Sequence, residues 1–178
     1  MSIVLKETER LNKSIADFLR FVRPQEKHAA EFDIAASLGE TLELFANSPE
    51  LRPDHKIACE IEPPSFLIMG DADQIRQVFW NLARNALQAM PDGGTLRAKV
   101  EVNSHNRLRI AFSDTGRGMS PVQVERLFEP FSSTTGGTGL GLSIVYQIIR
   151  DHGGTITVSS LEGQGTMITV ELPLDASQ

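Results

Sequence analysis

Hydrophobic positions divide the chain into a series of helices and strands. Val4, Thr8, Leu11, Ile15, Phe18 and Val22 alternate spacings of four and three, the repeat of a coiled-coil seam. This predicts one long helix over 1–22, stopped by Pro24. Either a partner helix or the chain's own domain can cover its apolar side. Residues 24–32 are polar and read as a linker. A short strand is expected at Phe32 to Ile34, then a helix over 35–47 through Leu38, Leu42 and Phe45. Ile57, Cys59 and Ile61 alternate with polar residues as in a strand, and Phe66 to Met69 forms another.

The clearest element follows. Asp71 can cap a helix in which Ile75, Val78, Phe79, Leu82, Ala83, Ala86, Leu87 and Met90 recur at helical spacing. Pro91 to Gly94 ends it with a turn, and strands are expected near 95–102 and 107–113. Ser120-Pro121-Val122-Gln123 combines a cap, a proline at the first helical position and a Gln three after the cap. Residues 141–151 are helical again, and strands near 155–160 and 166–172 close the chain around a turn with Gly163 and Gly165. This order predicts an α+β fold: a two-layer sandwich of a mixed sheet with helices on one face, preceded by one long helix.

Composition narrows the function classes. With 178 residues, 40% apolar and 22% charged, the chain can bury a core. Its net charge of −6 argues against nucleic-acid binding. A single cysteine, Cys59, excludes an intrachain disulfide and a cysteine-based zinc site. No apolar stretch approaches the roughly 18 residues of a membrane span, so no membrane contact is expected of this stretch.

Three segments carry candidate chemistry. Asn81 and Asn85 lie one turn apart on one helical stripe, with Arg84 and Gln88 beside them. Asparagine is a mediocre helix former, and its carboxamide oxygen is a hard neutral ligand suited to Mg²⁺. The same stripe also fits a plain solvated face. Asp114-Thr115-Gly116-Arg117-Gly118-Met119 follows an alternating strand. It fits a carboxylate facing a pocket, where it accepts from an exocyclic amine, and it also fits a tight turn. Gly136-Gly137-Thr138-Gly139-Leu140-Gly141-Leu142 runs into a helix. Free backbone N–H groups and a helix N-terminus there suit phosphate, though a flexible hinge has the same composition. The loop lacks the Gly-Lys-Ser/Thr of a Walker A motif.

Order and spacing join these signals. Asn81-Leu82-Ala83-Arg84-Asn85-Ala86, Asp114-Thr115-Gly116-Arg117-Gly118-Met119, Phe128-Glu129-Pro130-Phe131 and Gly137-Thr138-Gly139-Leu140-Gly141-Leu142 occur in turn. Together they resemble the ATP-binding domain of two-component sensor histidine kinases. This is the Bergerat fold, shared with gyrase, mismatch-repair ATPases and the ninety-kilodalton chaperones. Asn85 to Met90 further resembles the nitrogen-regulation group of these kinases. The resemblance divides the chain into the second helix of a dimerisation hairpin (1–23), a linker (24–32) and a catalytic domain (33–175).

The resemblance implies ATP and Mg²⁺ as ligands. Asn85 is the expected Mg²⁺ ligand through its side-chain oxygen. Asp114 is expected to accept from the adenine amine, with Gly116, Gly118 and Met119 at the base pocket and Thr166 nearby. Thr138 and the backbone of Gly139, Leu140, Gly141 and Leu142 are expected at the phosphates, and Arg84 and Gln88 toward phosphate or partner. Residues 119–137 would form a lid anchored by Phe128 and Phe131, with hydroxyls of its short uncharged stretch replacing the cation many relatives carry. The family's ATPase branch usually has Glu where this chain has Asn81. A neutral amide is a poor base, which favours transfer to a protein acceptor over hydrolysis.

That acceptor is a His followed by an acidic residue on the first hairpin helix, and no such motif occurs here. His28, His55, His105 and His152 read as ordinary surface residues, so the acceptor is expected upstream. The implied activity is transfer of the ATP γ-phosphoryl group to that histidine, for relay to a response-regulator receiver domain. The full-length protein is expected to be a homodimer with this part in the cytoplasm. A hydrolytic or serine-directed enzyme of the same fold, or a nucleotide-sensing module, are the competing readings.

Overall fold

The computed structural model describes residues 28–62, 64–132 and 139–174. The long helix expected over 1–22 lies outside the described residues, as do Thr138 and the preceding part of the glycine loop.

The element order is β1 (Ala30–Asp33), α1 (Ile34–Ala46), β2 (His55–Ile61), β3 (Leu67–Gly70), α2 (Ala72–Ala89), β4 (Gly94–Val102), β5 (Arg107–Asp114), α3 (Pro121–Glu125), α4 (Gly141–Asp151), β6 (Thr155–Leu161) and β7 (Gly165–Pro173). Five strands form one sheet in the order β2-β4-β5-β7-β6. Only β2 and β4 run parallel, so the sheet is mixed. The expected α+β architecture is the one observed. The short strands β1 and β3 stay out of that sheet and pair antiparallel with each other. β1 begins at Ala30, inside the stretch expected to be linker.

Period-two burial explains the layers. Leu96, Ala98 and Val100 on β4, Leu108, Ile110 and Phe112 on β5, and Ile168, Val170 and Leu172 on β7 are all buried. The helices cover that face. α2 is central, flanked by α1 and α4, and its buried stripe of Ile75, Val78, Phe79, Leu82, Ala83 and Ala86 joins one continuous core. Phe79 stacks on Phe112 of the sheet at 6.0 Å between ring centroids, while Trp80 meets Phe45 of α1 edge-on at 5.0 Å.

Side chains fix the helix ends. Asp33 accepts from the N–H groups of Ala35 and Ala36 at 2.9 and 3.3 Å, and from Phe66 N–H at 3.1 Å. Burial pushes the Asp33 carboxyl up, but hydrogen bonds from Ser65, Phe66, Ala36 and Ala35 outweigh it and hold the carboxyl below its ordinary value. Asp71 caps α2 through Asp73 and Gln74, both at 3.1 Å. Ser120 and Gln123 form the expected reciprocal capping box on α3.

Two histidines depart from the surface role expected of them. His55 is buried. Its Nδ1 accepts from Arg52 N–H at 3.2 Å and its Nε2 donates to the Met90 carbonyl at 2.8 Å, tying β2 to the end of α2. His152, at the end of α4, accepts from Asp71 N–H at 3.0 Å and donates from Nδ1 to the Ile148 carbonyl at 2.8 Å. It thereby links α4 to the start of α2. In each ring both nitrogens are engaged within the fold.

Candidate functional site

α2 acts as a ruler for the site. At its C-terminal end, Arg117 N–H donates to the Ala89 carbonyl at 3.0 Å. A Cβ on Gly116 would lie 2.5 Å from that same oxygen, so only glycine lets the Asp114–Met119 turn seat there. Eight residues earlier, Asn81 Nδ2 donates to the Gly141 carbonyl at 3.3 Å, at the first turn of α4. At 1.5 Å per residue the two contacts are about 12 Å apart. Asn85 falls midway between them on the same stripe, half-buried like Asn81.

The first end is acidic and buried. Asp114 closes β5 and faces Thr166 on β7 in register. It is only 7% exposed, and its Oδ1 accepts from Gly116 N–H at 2.8 Å. Burial raises its carboxyl above the ordinary value, and backbone hydrogen bonds from Gly116 and Thr166 offset this only in part. Among the described residues no cation is one of the groups acting on it. A buried carboxylate without a cation is costly, and an incoming N–H donor would relieve that cost.

The wall of this end is zipped shut. Gly163 N–H donates to the Arg117 carbonyl at 2.7 Å, and Met119 N–H donates to Ser160 Oγ at 2.9 Å. Gly118 has φ of 65°, and a Cβ there would sit 1.9 Å from the Leu161 carbonyl oxygen.

The second end is the start of α4. Leu140 is buried in the core and Leu142 packs on it, so the leucines anchor the start of α4. Leu140 in the cap position offers no side-chain acceptor to the first N–H groups, which leaves the helix start suited to an anion. Phe131 N–H donates to the Gly139 carbonyl at 3.1 Å. Phe128 packs on Tyr146 of α4 at 5.5 Å between centroids. Phe131 does not anchor in this way: it is 66% exposed, and its backbone takes a left-handed φ of 65°.

Thus Asp114, Gly116, Gly118, Met119 and Thr166 gather at one end, and Asn81, Gly139, Leu140, Gly141 and Leu142 at the other. Arg84 instead pairs with Glu50 of the α1–β2 loop at 3.2 Å, and Gln88 lies half-buried one turn beyond it. Ser160 is absent from the residues that the sequence motifs single out. It occupies the inward register of β6 after Ile156 and Val158, and a polar residue in that apolar series is the signal that marks it.

The family model for histidine kinase-, DNA gyrase B-, and HSP90-like ATPases matches residues 70–176. The chain belongs to this ATPase family. It is 32% identical to the sensor histidine kinase ZraS of Salmonella typhimurium over 177 residues, which is 99% of this chain and 38% of ZraS. The chain therefore spans well under half the length of that relative. The full-length structure of ShkA in complex with AMPPNP aligns with a TM-score of 0.83 at 29% identity, over 97% of this chain and 37% of ShkA. The catalytic domain of histidine kinase ThkA aligns at 0.73 and 30% identity, over 83% of this chain and 96% of that domain. ThkA in complex with response regulator protein TrrA aligns at 0.80 and 25% identity, over 97% of this chain and 49% of that one. As a family member the chain carries an ATP-binding domain, the counterpart of the catalytic ATPase domain of sensor histidine kinases.

Proposed function

We propose that the chain binds Mg-ATP along α2 and passes the γ-phosphoryl group to a histidine on a dimerisation helix of its parent kinase. The observation that carries this reading is the placement of a buried acceptor, Asp114, with no cation among the described groups acting on it, at one end of the α2 stripe and a helix start without a side-chain cap at the other. Asp114 accepts from the exocyclic amine of adenine, with Gly116, Gly118 and Met119 around the base and Thr166 beside it. Gly139, Leu140, Gly141 and Leu142 hold phosphate through backbone N–H groups, joined by Thr138. Asn85, between the two ends, supplies a side-chain oxygen to Mg²⁺. Among the described residues no cluster of three or more His, Cys, Asp or Glu is placed to hold a metal. The proposed donor set is the Asn85 amide oxygen with phosphate and water, which fits Mg²⁺. When bound, the ion offsets phosphate charge. Arg84, held by Glu50, and Gln88 form the outer edge of the site.

Asn81 supports transfer rather than hydrolysis. Its amide is engaged by the Gly141 carbonyl and takes no proton from water, so hydrolysis lacks a base. His55 and His152 have both ring nitrogens occupied within the fold, which favours an acceptor outside the catalytic domain. The coiled-coil seam of residues 1–23 fits half of a dimerising hairpin, joined through 24–32 to a catalytic unit over 33–175. The parent is then a homodimer whose partner is a response-regulator receiver domain, in line with the ThkA–TrrA complex. No described helix is long and apolar enough to cross a membrane. The net charge of −6 agrees with the absence of a nucleic-acid partner.

The test supplies the chain with γ-labelled ATP, Mg²⁺ and a separate histidine-bearing dimerisation hairpin of a matching kinase. Label is expected on the hairpin in an acid-labile, Mg-dependent form, with little phosphate released without it. Fast phosphate release with no label on the hairpin would move the assignment to a hydrolytic ATPase.

A further inference from the structure

Ser160 lies behind the base end of the site and ties three of its parts together. Its Oγ accepts from Met119 N–H at 2.9 Å, donates to the Gly165 carbonyl at 3.1 Å and lies 2.9 Å from Thr166 Oγ1. A hydroxyl has one proton. The Gly165 carbonyl has none to give, so Ser160 must be the donor in that bond. Thr166 then has to donate to Ser160. Its own proton is then committed to Ser160, and its oxygen keeps only lone pairs to offer. Thr166 is 6% exposed and is paired in register with Asp114, whose ionised carboxylate is also acceptor-only.

We infer that Ser160 is a positioning residue for base selectivity: by fixing the Thr166 hydroxyl as an acceptor beside Asp114, it makes the site favour 6-amino over 6-oxo purines. An exocyclic amine brings two N–H donors to these acceptors. A 6-oxo purine brings a carbonyl oxygen to the same place and meets lone pairs, a mismatch that leaves polar groups unpaired. Removing the Ser160 hydroxyl frees the Thr166 proton to turn toward such a carbonyl. The inference rests on the nucleotide reading above, and it assigns Ser160 no contact with the nucleotide.

The experiment measures dissociation constants for Mg-ATP and Mg-ITP, which differ only at the purine 6-position and its neighbouring ring nitrogen. The wild-type chain should prefer ATP. Ser160→Ala should shrink the ratio about tenfold, whatever it does to the two affinities together. Ser160→Cys keeps the volume with a weak donor and should move the ratio the same way, while Ser160→Thr restores it. In a Thr166→Val background, Ser160→Ala should leave the ratio unchanged, because the coupling runs through that hydroxyl. Equal weakening of ATP and ITP by Ser160→Ala would reduce Ser160 to a structural tether and overturn the inference. So would an unaltered effect in the Thr166→Val background. A wild-type chain that binds neither nucleotide would overturn the nucleotide reading and this inference with it.

Discussion

Gly118 and Gly163 allow the docking of the base-side wall to be measured apart from backbone preference. Both are left-handed, with φ of 65° and 76°, so alanine carries a conformational penalty of about 1 kcal/mol at either. Their surroundings differ. A Cβ on Gly163 meets nothing within 4 Å, whereas on Gly118 it lies 1.9 Å from the oxygen and 2.6 Å from the carbon of the Leu161 carbonyl. Main-chain atoms cannot rotate away, so the 115–119 turn has to separate from the β6–β7 hairpin. That separation gives up the Gly163-to-Arg117 and Met119-to-Ser160 hydrogen bonds, at about 1 kcal/mol each. Gly163→Ala is therefore expected to destabilise by about 1 kcal/mol, and Gly118→Ala by about 3 kcal/mol. Urea titration at constant m-value reads both. Mg-ATP affinity should fall more than about tenfold in Gly118→Ala and stay near wild type in Gly163→Ala. Equal shifts in midpoint for the two variants would refute the reasoning, since it makes the Leu161 contact the whole difference.

Two further outcomes follow from the same structure. Asp114 has a raised folded-state pKa because it is buried. Its ionised form is therefore a cost to the fold above that pKa, relieved as pH falls through it. Nucleotide affinity should change the opposite way, dropping as pH falls through the same window above 3.8, the ordinary value; binding titrations across pH should show this dependence in wild type and not in Asp114→Asn. Gly39 sits in the interior of α1, and a Cβ added there would meet nothing within 4 Å, so Gly39→Ala should raise stability by about 0.5–1 kcal/mol in thermal unfolding and leave nucleotide affinity unchanged.

Periodicity in the chain reports which side of an element is buried, and where that suffices the reading is direct. Leu96, Ala98 and Val100 alternate in sequence and line the core in the fold. Asn81 and Asn85 share a stripe by helical spacing alone, and the fold sets that stripe between the Gly116 and Gly141 contacts. Periodicity does not name the partner across space. β1 and β3 are legible as short strands, but their pairing with each other joins distant segments of the chain. Arg84 pairs with Glu50 and Ser160 with Thr166 only once the sheet and loops are assembled. His55 and His152 read as surface residues because polarity alone hides that each satisfies buried backbone groups. The resemblance makes Phe131 an anchor of the lid, and in the fold it is exposed on a left-handed backbone instead.

The central claim is that α2 places Asn85 to bring Mg²⁺ to a nucleotide held between Asp114 and the start of α4. One calorimetric comparison tests it most directly: ATP titrated into the wild-type chain and into Asn85→Ala, each with and without Mg²⁺. The account predicts saturable binding that Mg²⁺ tightens in the wild type, and a variant that binds ATP but gains nothing from Mg²⁺. An Asn85→Ala chain showing the full Mg²⁺-dependent gain would contradict it.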